Sequence, residues 1–134
     1  MGLRSMKLRT AMLAAMIMCV PAGAYAQDAA AGEKSFNKCR ACHQVGETAK
    51  NTVGPIMNGL FGRKSGTVEG YNYSEANKNA ALMWDEAVFA DYIKDPKGKI
   101  PGTKMVFAGI KNEQEIKDLT AFLKQFGKDG KKAN

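Results

Sequence analysis

The chain has one histidine, one tryptophan and three cysteines among 134 residues, and no acidic residue ahead of Asp28. Each scarcity excludes something. Zinc wants four ligands, and one His with so few Cys cannot supply a closed set. Three cysteines, of which only Cys39 and Cys42 are close in sequence, leave no disulfide framework. The longest apolar run, residues 11–20, falls short of the roughly 20 residues that a helix needs to cross a bilayer. There is no internal repeat, and no strand-helix alternation surrounds the paired cysteines.

The missing acids mark an export signal. Arg4, Lys7 and Arg9 form a charged start, residues 11–20 an apolar stretch, and Ala24-Tyr25-Ala26 a small-x-small cleavage site. Lipidation at Cys19 is not expected, because Ile17-Met18 before it lacks the small residue that such processing favours. The expected division is therefore a cleaved signal peptide, 1–26, and one domain, 27–134, in the periplasm. Removing 26 of the 134 residues leaves 108, enough for one modest core. The leader takes three of the 20 basic residues and none of the 13 acidic ones, so the remainder carries a net charge of +4.

What is present centres on Cys39-Arg40-Ala41-Cys42-His43. A C-x-x-C-H run is the attachment site of a c-type haem. Two thiols at that spacing reach two vinyl groups on one porphyrin edge, and the following imidazole is held where it can bind the iron. A bare C-x-x-C can also be a zinc half-site or a thiol redox pair; the ligand count opposes the first and the absent βαβ context the second. With no disulfide available, a covalent haem c, linked through Cys39 and Cys42, is the apolar body on which a small chain can build its core.

The pattern predicts an all-α fold with long connections. Asp28 caps a helix from 29 to about 38, with Gly32 and Phe36 on one face: the Gly admits a second helix and the Phe fills the contact. Asn112 caps a last helix, with Glu115 placed as in a capping box, a stripe of Ile116, Leu119, Leu123 and Phe126, and Gly127 as the stop. A third helix spans 85–94 and ends ahead of Pro96, and a short fourth spans 74–79. Residues 127–134 read as a frayed tail.

Iron bound by the only His needs a sixth ligand, and its identity decides between gas or peroxide chemistry at an open site and electron transfer at a closed one. Met, Lys, water or a weaker group could serve. Outside the leader stand Met57, Met83 and Met105. The first two read as apolar packing. Met105 ends the polar, stiffened loop Ile100-Pro101-Gly102-Thr103-Lys104-Met105, where a buried thioether has no obvious packing reason. A soft neutral sulfur favours reduced iron.

The order Gly32-x-x-x-Phe36-x-x-Cys39-x-x-Cys42-His43, Gly54-Pro55, Gly59-Leu60-Phe61-Gly62-Arg63, Gly70-Tyr71-x-Tyr73, Trp84 and Pro101-Gly102-Thr103-Lys104-Met105 resembles class I cytochrome c, in its bacterial cytochrome c2 branch, from 28 to about 128. The resemblance implies three main helices plus short ones wrapped around one covalent haem. It implies His43 and Met105 as axial ligands and Pro55 as the carbonyl acceptor for the other His43 ring N–H. Arg63, Tyr73 and Trp84 match donors to the haem propionates. Tyr92 and Thr103 match hydrogen bonds near the Met sulfur and a propionate, Asn77 a position that orders an internal water, and Phe107 an aromatic over the haem edge. Met57 and Phe122 depart from the family's common Leu and Tyr.

These expectations add up to a soluble periplasmic single-haem electron carrier, a monomer and not an enzyme. The family's partners are a cytochrome bc1 complex as donor and a terminal oxidase or photosynthetic reaction centre as acceptor. Lys38, Lys97, Lys104 and Lys111 would form a basic patch at the haem edge, steering toward acidic partners; no aromatic-basic interleaving suggests nucleic acid. The rival function is a gas-binding or peroxidatic haem protein.

Overall fold

A computed structural model describes residues 27–133; the predicted leader, 1–26, lies outside them. Five helices follow in order: α1 (Ala29–Phe36), α2 (Glu75–Asn79), α3 (Glu86–Lys94), α4 (Pro96–Lys99) and α5 (Glu113–Lys124). Among the described residues there is no strand, and the only bridges are Lys64 with Met83 and Phe126 with Lys132. The fold is therefore all-α, with α1, α3 and α5 as its main helices.

Side-chain caps set the helix starts. The Asp28 carboxylate accepts from the N–H groups of Ala30 and Ala31, Ser74 from Asn77, Asp85 from Val88 and Asn112 from Glu115. The expected capping box at Asn112 forms only halfway. Glu115 turns away to accept from Ser35 Oγ and Lys38 Nζ, joining α5 to the end of α1 and the turn beyond it. The predicted first helix ends earlier than 38, at Phe36, and continues as turns in which Cys39 N–H donates to Phe36 O at 2.8 Å and His43 N–H to Cys39 O at 2.9 Å.

Helix α1 packs on α5 through the two residues that the pattern selected. A Cβ on Gly32 would fall 1.9 Å from the Asp118 carbonyl oxygen, so only Gly permits this approach. Phe36 is fully buried and tilts against Phe122 with ring centroids 5.3 Å apart. Buried Asp118 accepts from Asp28 N–H at 2.9 Å, tying α5 to the capping residue of α1. The rest of the core comes from α3 and the loops: Leu60, Trp84, Phe89, Tyr92, Ile93, Ile100 and Ile110.

Three expectations need correction. The connection after α3 contains an unpredicted helix, α4, because Pro96 occupies its first turn and Asp95 caps it, accepting from Gly98 N–H; proline ends one helix and opens the next. Met83 is not packed but 53% exposed, its backbone held by the bridge to Lys64. The tail is not frayed through residue 133. It folds back as a strap, Gly127 N–H donating to Lys131 O at 3.0 Å and Ala133 N–H to Gln125 O at 2.8 Å.

Candidate functional site

Loops 39–73 and 100–107 and one side of α3 and α5 enclose a cavity of about 320 Å³. Its floor is apolar, from Leu60, Phe89, Ile93, Leu119 and Leu123. Cys39, Cys42 and His43 line it from the turns after α1, and Met105 from the loop after α4.

His43 is held on two sides. Its Nδ1 lies 2.7 Å from the Pro55 carbonyl oxygen, and since a carbonyl oxygen only accepts, the ring must be the donor. That fixes the proton on Nδ1 and leaves Nε2 as the nitrogen free to bind a metal. Burial lowers the His43 pKa, helped by the nearby Arg63 charge and opposed by the Pro55 bond, so the imidazole is kept neutral, as a ligand must be. The ring lies flush on the Gly54 backbone, where an added Cβ would come within 2.4 Å of Cε1.

Met105 is held as firmly. The Tyr92 hydroxyl donates to its Sδ at 3.1 Å, and its N–H donates to Thr103 Oγ1 at 3.2 Å. Burial pushes the Tyr92 phenol up to about 12, so it remains a donor. Tyr92 itself is buttressed edge-on by Trp84, with centroids 4.9 Å apart. Thr103 in turn donates to Asn77 Oδ1 at 2.8 Å, and Ser74 Oγ donates to the same oxygen at 2.8 Å. The predicted water-ordering residue is thus itself locked by two hydroxyls.

The polar rim contains Arg63, Tyr73, Asn77 and Trp84. Arg63 Nη1 donates to Asn58 O at 2.9 Å and reaches Ile56 O at 3.4 Å, which uses only part of a guanidinium with five N–H donors. The Tyr73 hydroxyl accepts from Val68 N–H at 3.1 Å, which leaves its own proton to donate. Trp84 is placed opposite Arg63 by backbone pairing, its N–H donating to Arg63 O at 2.9 Å.

Of the predicted basic patch, Lys38 and Lys104 line the cavity with exposed Val53 and Val106. Lys97 borders a shallower hollow beside Phe107, and Lys111 lines neither. Lys38 spends its charge on Glu115, whose carboxyl its hydrogen bond holds below the usual range. Lys104 and Lys111 donate to neutral carbonyls, those of Asn72 and Lys94, and Lys104 also lies over the Tyr71 ring; among the described residues neither pairs with a carboxylate. Met57 packs against the core and lines the cavity, as expected of a Leu replacement. Ser74 and Asn58 were not singled out from the sequence; single hydroxyl and amide residues in a loop carry no signal until their partners are known.

This donor set fits a covalently attached haem: two thiols, a neutral imidazole and a thioether around an apolar space with hydrogen-bond donors at one rim. It does not suit a thiol redox pair, because burial raises the Cys39 thiol to about 11 and keeps it protonated. Nor does it suit zinc: among the described residues no three His, Cys, Asp or Glu gather as a metal cluster.

Comparison with known proteins agrees. The family model of cytochrome c matches residues 29–127. Cytochrome c2 of Blastochloris viridis is 61% identical over 111 residues, covering 83% of this chain and 87% of that protein. Cytochrome c-550 of Bradyrhizobium diazoefficiens is 69% identical over 103 residues, covering 77% of this chain and 76% of that protein. The solved structure of cytochrome cH from Methylobacterium extorquens superposes with a TM-score of 0.69 at 47% identity, covering 73% of this chain and 98% of that one.

Proposed function

Since the chain belongs to the cytochrome c family and carries one covalent haem c, we propose that this electron carrier works in the periplasm, between a cytochrome bc1 complex and a terminal oxidase or photosynthetic reaction centre. The observation that carries this reading is the pair of locked side chains, His43 on Pro55 and Met105 under Tyr92. Both locked side chains are the protein's own, which supports a closed site over one open to a substrate. When bound, the haem supplies a reversible one-electron change at its iron.

The chain's residues divide the remaining work. His43 Nε2 and Met105 Sδ would hold the haem iron, and the soft sulfur would favour its reduced state. Arg63, Tyr73 and Trp84 would hold the propionates, whose charge would be costly to bury unpartnered. Burial of the floor keeps water out and restricts rearrangement on each electron transfer. Denatured in SDS with strong reductant, the mature protein should retain its haem stain and have the mass of residues 27–134 plus one haem. A lost stain would contradict the thioether links, and a heavier chain would contradict the cleavage site.

Partner finding rests on charge at the cavity mouth and beside it, in the hollow by Phe107. Lys97 and Lys104 are the informative pair, since Lys38 is already engaged with Glu115. Reversing both to Glu leaves every proposed ligand intact. The reaction with a bc1 complex or its acceptor should slow roughly tenfold or more at low salt. The difference should shrink as the Debye length falls to about 3 Å at 1 M salt. An unchanged low-salt rate with every candidate partner would reduce the patch to ordinary surface.

A further inference from the structure

One buried amide has no part in the cavity. Asn58 is 6% exposed and gives its whole carboxamide to a single residue. Its Oδ1 accepts from Gly46 N–H at 2.9 Å, and its Nδ2 donates to Gly46 O at 2.8 Å. Alongside, Met57 N–H donates to Gln44 O at 3.0 Å and Gly54 N–H to Cys42 O at 2.8 Å. Residues 42–58 are thereby closed into a loop, and the bond between His43 and Pro55 spans its interior.

The same point is pressed from outside by the C-terminal strap. A Cβ on Gly130 would fall 2.1 Å from Gly46 O and 2.7 Å from Asn58 Nδ2. Gly59 N–H donates to Phe126 O at 3.1 Å, anchoring the root of the strap beside Asn58. Gly46 lies three residues after His43, and Asn58 three after Pro55. A tie between 46 and 58 therefore holds the stretches that follow His43 and Pro55 at a fixed spacing.

We propose that Asn58, seated under Gly130 of the C-terminal strap, is a positioning residue that holds the Pro55 carbonyl on His43 and so tunes how strongly the imidazole donates to iron. This rests on the reading of His43 as a ligand. A two-sided amide bond fixes register as well as distance, because both groups of Gly46 must meet one carboxamide. Leucine would keep the volume of Asn58 but leave the Gly46 N–H without its partner and take one of two donors from Gly46 O, which also accepts from Ala49 N–H at 3.2 Å. The imidazole would then lose a firm acceptor at Nδ1 and become a weaker donor at Nε2.

The test uses the full holoprotein. Asn58→Leu removes the clamp, Gly130→Ala disturbs it while keeping Asn58, and Lys131→Ala changes an exposed strap side chain. Hydrogen exchange by NMR in the ferrous state and the midpoint potential are the readouts. In both clamp variants the His43 Nδ1–H and the Gly54 and Met57 amides should exchange at least about tenfold faster. The Leu119 and Phe122 amides of α5 should hold their rates, the potential should rise, and Lys131→Ala should match wild type. Unchanged loop exchange, equal acceleration in α5, or a potential that fails to rise would overturn the proposal. Should Asn58→Leu not fold, Gly130→Ala decides alone. A ferric wild-type protein lacking hyperfine-shifted His43 ring resonances would instead refute the ligand reading, and the two failures are thus distinguishable.

Discussion

Met105→Ala should bind carbon monoxide in its ferrous form, where the unaltered protein does not, and should have a lower midpoint potential. The sulfur is the only soft neutral group that the loop after α4 brings to the cavity, and its loss removes the bias toward reduced iron. The effect on carbon monoxide is close to all-or-none, because the vacated position has no other ligand held ready for it. Tyr92 loses its acceptor at the same time. Met105 is half-buried, so stability should fall by about 2 kcal/mol, the low end for truncating a core methionine. Two controls separate the causes. Met57→Leu, a near volume-conserving change in the same cavity, should remain inert to carbon monoxide and cost less than about 1.5 kcal/mol. Tyr92→Phe removes only the hydrogen bond, about 1 kcal/mol, and should leave the site closed. If Met105→Ala matches wild type in both carbon monoxide inertness and potential, another residue is the ligand; a wild-type protein that already binds carbon monoxide would favour the gas-binding or peroxidatic rival.

Periodic and local signals were legible, and long-range ones were not. The caps Asp28 and Asn112 could be read because a capping side chain bonds to an N–H two or three residues away. The anchoring thiols and the adjoining imidazole share one run, Met105 stood out in its polar loop, and the resemblance supplied Pro55 and Tyr92, whose bonds to His43 and Met105 no spacing rule predicts. Glu115 misled, because the capping-box rule is local while Lys38 and Ser35 compete for the carboxylate from across the fold. Residues 127–133 looked like a loose end because Gly, Lys and Asp have little apolar surface to bury. What orders them is backbone pairing and a close seat on Gly46, a contact between residues more than eighty positions apart. The basic patch was legible in sign but not in strength, since the sequence could not tell the paired Lys38 from the unneutralised Lys104.

Gly32→Ala should be the most destructive single methyl addition between the helices, lowering stability by about 3 kcal/mol or more. The new Cβ would lie 1.9 Å from Asp118 O, 2.5 Å from Asp118 C and 2.8 Å from Phe122 Cβ. None of these is the free end of a flexible side chain, so the helices must separate. Alanine's better helix propensity, about 1 kcal/mol over Gly, is outweighed by overpacking, which alone typically costs 1–3 kcal/mol. Separation also strains what α1 and α5 share: the Phe36 to Phe122 contact, the Asp118 bond to Asp28 and the reach of Glu115 to Ser35. Function is involved because Cys39 hangs directly from Phe36 by a backbone hydrogen bond of 2.8 Å. A displaced α1 therefore moves one thioether anchor relative to Leu119 and Leu123 on the cavity floor. The expected result is a denaturant midpoint well below wild type together with a reduced yield of haem-loaded protein. Glu33→Ala, on the exposed side of the same helix, should stay within about 0.5 kcal/mol and load haem normally. A Gly32→Ala protein that unfolds at the wild-type denaturant concentration would mean that the α1 and α5 backbones are not in the close contact on which the placement of Cys39 depends.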